Sequence, residues 1–193
     1  GRAVILPTET VYGIFAKALD QEAVDYIYEL KRRPRDKALN LNVADEKTIR
    51  IYSKNQPSYL TKLIHSFLPG PLTIILQANE KVPNWIHSGL DTVGFRIPAH
   101  PKTLDLIRKY GPLVGPSANL SGHASGTKYR AIVSEFDQVV PGIEDDDFLT
   151  GQDSTILDIS SSKARILRQG SITKADLLAQ VPELSFEEDE LPQ

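Results

Sequence analysis

The sequence predicts an α/β protein built on a twisted mixed sheet with flanking helices. Short apolar runs at residues 3–6, 72–76 and 92–97 alternate with segments of helical period at 20–33, 58–67 and 101–110. Two further apolar runs, 154–159 and 164–167, are separated only by Ser160-Ser161-Ser162-Lys163. That spacing fits a hairpin, so the sheet is expected to be mixed rather than wholly parallel. A chain of 193 residues, 40% hydrophobic and 24% charged, is of a size and composition to form one domain around a proper core.

The elements follow in order. Residues 3–6 are an apolar strand stopped by Pro7, which leads into the polar segment Thr8-Glu9-Thr10. Asp20 offers an N-cap, and Ala23, Ile27 and Leu30 recur at the spacing of a core-facing helical stripe. Pro34 disfavours helical geometry at Arg33, so that helix is expected to end there. Residues 39–43 alternate apolar residues with Asn40 and Asn42, a strand with one polar face. A helix over 58–67 is stopped by Pro69-Gly70-Pro71 and followed by the continuous apolar strand 72–76. Residues 92–97 form a strand carrying Arg96, and Pro101 and Gly111 bracket a helix over 101–110. A short strand at 113–115 feeds the turn Ser117-Ala118-Asn119-Leu120-Ser121-Gly122. A last helix spans 173–180, and the acidic residues 184–193 read as a flexible tail.

Composition narrows the function classes. A formal net charge of −3 gives no global attraction to nucleic acid, so any phosphate binding must come from a local cluster. The absence of cysteine excludes a disulfide framework and thiolate metal ligation and suits a reducing, cytoplasmic setting. A chain that opens on Gly1-Arg2 and contains no methionine is expected to have been trimmed at its N-terminus. Neither a signal peptide nor a run of about 18 apolar residues is visible, so no membrane association is expected.

Lys31-Arg32-Arg33-Pro34-Arg35-Asp36-Lys37 places five cations within seven residues. Cations at a helix C-terminus favour the macrodipole by roughly 0.3–1 kcal/mol each, which is one reason to find them there. Their mutual repulsion is better relieved by an anion, with Arg33 suited to a bidentate grip on phosphate and Lys37 to a mobile point charge. Ser117, Asn119 and the nearby Ser125 fit either a plain Asx-type turn or a phosphate and ribose contact. Arg96, flanked by Val93, Phe95 and Ile97, requires a matching carboxylate, from the protein or from a substrate, and Arg168 poses the same question. P-loop, dinucleotide-binding and nucleophile-elbow signatures are missing, and the four histidines show no metal-binding spacing.

Seven segments occur together in one order: Pro7-Thr8-Glu9-Thr10-Val11-Tyr12-Gly13, Leu30-Lys31-Arg32-Arg33-Pro34, Phe67-Leu68-Pro69-Gly70-Pro71-Leu72-Thr73, Val93-Gly94-Phe95-Arg96-Ile97-Pro98, Pro116-Ser117-Ala118-Asn119-Leu120-Ser121-Gly122, Asp153-Ser154-Thr155-Ile156-Leu157-Asp158 and Ile166-Leu167-Arg168-Gln169-Gly170. Individually weak, in this order they closely resemble the YrdC/TsaC family of threonylcarbamoyl-AMP synthases. The resemblance implies a YrdC-like twisted mixed sheet with flanking helices around a large cleft. Residues 1–180 would be the catalytic domain and 181–193 the acidic tail. It further implies synthesis of threonylcarbamoyl-AMP and pyrophosphate from L-threonine, bicarbonate or CO₂, and ATP with Mg²⁺. Downstream threonylcarbamoyl-transferase proteins would then modify tRNA, with contact to tRNA or double-stranded RNA.

Carried onto this chain, the family's ATP contacts fall on Lys31, Arg33, Lys37, Thr92, Ser117, Asn119, Ser125 and Arg168. Lys31 and Arg33 take the catalytic role. Threonine contacts fall on Thr10, Asn42, Arg96 and Ser154. The chain departs from some members at Lys37, Asn42 and Ile14-Phe15. Two alternatives stand beside this reading: a non-catalytic RNA-binding module of the same fold, and a paralogue acting on another amino acid.

Overall fold

A computed structural model describes residues 2–123, 126–137 and 139–187. Strand β1 (Val4–Leu6) pairs antiparallel with β2 (Gly13–Lys17). No strand is predicted at β2, whose apolar run is short and opens on glycine, yet its first four residues are buried. Helix α1 (Gln21–Lys31) starts where expected, because Asp20 accepts a hydrogen bond from the Ala23 N–H at 3.2 Å. Its buried face runs through Ala23, Val24, Ile27 and Tyr28 to Lys31, with Leu30 only half-buried. The apolar stripe thus ends on a cation.

Strand β3 (Leu41–Asn42) is followed by helix α2 (Glu46–Tyr52), strand β4 (Ser53–Lys54) and helix α3 (Leu60–Phe67). Strand β5 (Leu72–Ala78), helix α4 (Asn84–His87), strand β6 (Thr92–Arg96) and helix α5 (Pro101–Tyr110) come next. After strand β7 (Leu113–Val114) come helix α6 (Tyr129–Glu135) and a 3-10 turn at Asp146–Phe148. The hairpin β8 (Thr155–Asp158) and β9 (Arg165–Arg168) precedes helix α7 (Lys174–Gln180), capped by Thr173. Helices α2, α4 and α6 each bury one isoleucine (Ile49, Ile86 and Ile132), too little periodicity to be read from sequence.

The strands join one sheet in the order β1-β2-β7-β3-β6-β5-β8-β9, with β4 on β5. β3/β6 and β5/β8 are parallel and the other pairs antiparallel, so the sheet is mixed as predicted. Successive strand residues face opposite sides. Ile5 and Ile14 accordingly enter the large core with α1, α3 and α7, whereas Leu6 and Phe15 join Ile107 and Leu113 in a smaller cluster.

The segment expected to begin a tail is packed at its start. Val181 and Leu184 are buried, the Ala164 N–H donates to the Ser185 carbonyl at 2.7 Å, and Glu187 donates back to Ala164. Val181 and Leu184, the partly buried Phe186 and the backbone bonds to Ala164 hold 181–187 beside the start of β9, and residues 188–193 lie outside the described chain.

Candidate functional site

A cleft of about 170 Å³ is lined by Thr8, Asn40, Asn42, Thr73, Arg33, Arg96, Ser117, Asp153, Ser154 and Arg168, together with Phe15 and the glycines beside it. Sheet register assembles it. Asn42 pairs with Arg96 across β3 and β6, and the Ile74–Phe95 pair puts Thr73 beside Arg96. On β6, Val93 and Phe95 point into the core, leaving Gly94 and Arg96 on the other face. At Gly94 an added Cβ would displace the side-chain amide of Asn40 from its place in the cleft. Gly13 and Gly115 similarly leave room for the Phe15 ring.

Arg96 is the best-defined group of the cleft. Its Nη2 donates to Glu9 Oε1, and Glu9 Oε2 accepts from the Ala99 N–H at 3.0 Å. Burial pulls the guanidinium pKa down and Glu9 opposes that pull. Its Nε is buried without a hydrogen-bond partner. A donor left in that state costs about 1–3 kcal/mol unless a ligand takes the bond.

Hydroxyls crowd the same wall. Thr8 Oγ1 donates to the Val11 carbonyl at 2.6 Å, which leaves the Thr10 hydroxyl to donate to Thr8 at 3.0 Å. Ser154 Oγ lies 2.7 Å from Thr73 Oγ1 and accepts from Arg168 Nη2 at 3.0 Å, while Arg168 Nε donates to the Ser154 carbonyl at 2.8 Å. Arg32 ends α1 with a φ of 52°, and the turn carries Arg33 to the cleft, where its Nη2 donates to the Ala38 carbonyl at 2.7 Å.

Lys31 has a different place from the one expected. It is 2% exposed, and its Nζ donates to the backbone carbonyls of Ser117 at 2.5 Å and Asn119 at 2.7 Å. Burial, and then the Arg33 charge, lower its pKa from 10.5 to about 8. Two of three ammonium donors are thus committed to the turn, so Lys31 supports the cleft wall from behind rather than forming it.

Of the residues singled out from sequence, Arg33, Asn42, Arg96, Ser117, Ser154 and Arg168 line one cleft. Thr10 stands behind Thr8, which takes the lining position. Asn119 is buried with its amide nitrogen on the Leu120 and His123 carbonyls, and its Oδ1 has no partner. Lys37 is exposed and outside the lining; its backbone carbonyl accepts from Tyr28 and Arg33 and its N–H donates to the Pro34 carbonyl. Thr92 shares the Arg96 face of β6 but sits four residues away, roughly 13 Å along a strand, and is outside the lining. Ser125 lies outside the described residues. Asn40, Thr73 and Asp153 line the site and were not singled out, while Glu9, named only with the polar segment Thr8-Glu9-Thr10, joins it by holding Arg96. Glu9 and Thr73 carried a signal, since each is a polar residue beside a strand end in a segment already quoted.

The Sua5/YciO/YrdC family model, described as telomere recombination, matches residues 1–170. The chain belongs to that family. It is 39% identical over 174 residues to the threonylcarbamoyl-AMP synthase of Pyrococcus abyssi, covering 89% of this chain and 51% of that protein. The Bacillus subtilis protein of the same name is 39% identical over 179 residues, covering 91% and 52%. The crystal structure of P. abyssi Sua5 complexed with L-threonine has a TM-score of 0.87 at 35% identity, covering 96% of this chain and 55% of that one. The chain spans about half the length of these relatives. No described helix is long and apolar enough to cross a membrane.

Proposed function

We propose that this chain makes threonylcarbamoyl-AMP from L-threonine, bicarbonate or CO₂, and ATP, releasing pyrophosphate, for threonylcarbamoyladenosine modification of tRNA in the cytoplasm. The observation that carries this reading is the unpartnered Arg96 Nε, buried in a hydroxyl-lined cleft that also holds Arg33 and Arg168. Arg96 would receive the threonine carboxylate, with Asn42, Ser154 and the Thr8–Thr10 pair around the rest of the amino acid. The threonine nitrogen attacks the carbon of CO₂ and loses a proton, which gives a carbamate. A carbamate oxygen then attacks the α-phosphorus of ATP, and pyrophosphate leaves with the bond's electron pair.

Two anions meet in that step, so Arg33 and Arg168 would offset their repulsion as charge develops. Ser117, on the turn held by Lys31, would bond the nucleotide. Holding a short-lived carbamate beside the phosphate accounts for much of the acceleration, through proximity. Among the described residues no three His, Cys, Asp or Glu side chains form a metal site. Mg²⁺ would enter with the nucleotide and shield phosphate charge, while Arg33 and Arg168 supply the protein's own cations. The volume of about 170 Å³ suits an amino acid more than a whole nucleotide, being below the roughly 300–1,000 Å³ of typical ligand pockets. The nucleotide would extend along the open side past Arg33.

Threonine- and bicarbonate-dependent pyrophosphate release tests the reading. Arg33→Ala and Lys31→Ala are expected to abolish most of it, the first by removing a cleft cation and the second by releasing the Ser117 turn. Near-normal release by both would overturn these roles. The product's transfer to tRNA belongs to the downstream threonylcarbamoyl-transferase proteins.

A further inference from the structure

The turn that presents Ser117 is held from behind by a side chain outside every segment used so far. Glu135 closes α6, at the end of a helix where the macrodipole disfavours an anion, and α6 has no basic residue in its last turn to compensate. Its Oε1 accepts from the Leu120 N–H at 2.9 Å and lies 2.9 Å from His123 Nδ1. Leu120 follows directly on Asn119 and His123 lies four residues beyond it; the Asn119 carbonyl, with that of Ser117, receives the Lys31 ammonium. Arg33 and Lys37, from the chain after α1, repel that ammonium, and Glu135 attracts it from α6. His123 shares the same carboxylate oxygen. One carboxylate therefore meets both the turn backbone and the field of the buried cation.

We propose that Glu135 is a positioning residue, which pins the Leu120 backbone and supplies the counter-charge for Lys31, and so fixes Ser117 in the cleft. This rests on the reading of the cleft as the synthase site. Glu135 lines no part of the cleft, so it acts through Lys31 and the turn.

The test follows the Lys31 titration by NMR of the lysine-labelled full chain, alongside the pH profile of pyrophosphate release. Glu135→Gln keeps an oxygen for the Leu120 N–H and loses the charge. Lys31 should then give up its proton at a lower pH than in the parent chain, and the alkaline limb of the profile should follow it down. Glu135→Asp, which keeps the charge, should leave the titration close to that of the parent chain. An unchanged Lys31 titration and a superimposable profile in Glu135→Gln would overturn the proposal, as would a shift equally large in Glu135→Asp. If the unsubstituted chain releases no pyrophosphate, the synthase reading falls. The Lys31 titration, measured without substrates, then still decides whether Glu135 holds that cation.

Discussion

A lysine that spends its ammonium on two backbone carbonyls gives up hydration to fix a turn, and Lys31 does this at the edge of the cleft. Its folded-state pKa of about 8 lies below the ordinary 10.5, so the unfolded chain binds this proton more tightly between those values. The group's contribution to stability therefore rises as pH increases from about 8 to 10.5, by at most about 1.4 kcal/mol per pH unit. Urea unfolding across that window should show the parent chain gaining on Lys31→Gln, and parallel pH dependence would contradict it. Arg96 offers a binding prediction. Arg96→Lys keeps a charge for Glu9 but has no Nε, so threonine affinity measured by calorimetry should fall about tenfold or more; unchanged affinity removes the assignment. In the sequence both residues stand out by charge in an apolar setting, but the two destinations differ. Arg96 could be recognised as needing a carboxylate. That the carboxylate would be Glu9 depends on an ion pair between residues 87 apart in the chain, and the Glu135 charge that acts on Lys31 lies 104 residues away in sequence.

At the scale of elements, the strands and helices long enough to show a period were legible: α1, α3, α5, α7 and most of the sheet. The segment between β7 and β8 was not, because it is held by polar contacts rather than by an apolar stripe. Tyr12 is fully buried, donates to Asp146 Oδ1 at 2.7 Å and accepts from the Asp145 N–H at 2.7 Å. Asp146 also accepts from the Tyr129 N–H at 2.8 Å, and Asp145 Oδ2 lies 2.7 Å from Nε2 of the buried His100. Further along, the Thr150 and Gly151 N–H groups donate to the Glu9 and Thr10 carbonyls. This clasp leads directly into Asp153 and Ser154. Tyr12→Phe should cost about 1–2 kcal/mol and speed hydrogen exchange at Asp145, with α1 and β5 unaffected. Exchange at Asp145 matching the parent chain would show that the phenol does not hold the segment.

For the whole molecule, one mixed sheet collects residues from β2, β3, β5, β6 and β9, and from the chain beside β1, β7 and β8, around one concave site. The family motifs scattered along the sequence are close in space because strand order differs from chain order. Neither the order nor the register could be read from local patterns. The chain is acidic overall, with a net charge of −3, yet the cleft lining contains three arginines and one aspartate, with Glu9 paired to one of those arginines from behind. That inversion of local against global charge suits a small anionic ligand bound by specific groups better than a long polyanion attracted by bulk charge. The most direct test is mass spectrometry of the purified chain incubated with L-threonine, bicarbonate, ATP and Mg²⁺. Threonylcarbamoyl-AMP should appear with all four present and vanish when threonine is omitted; its absence from a folded chain that binds both threonine and ATP would contradict the account.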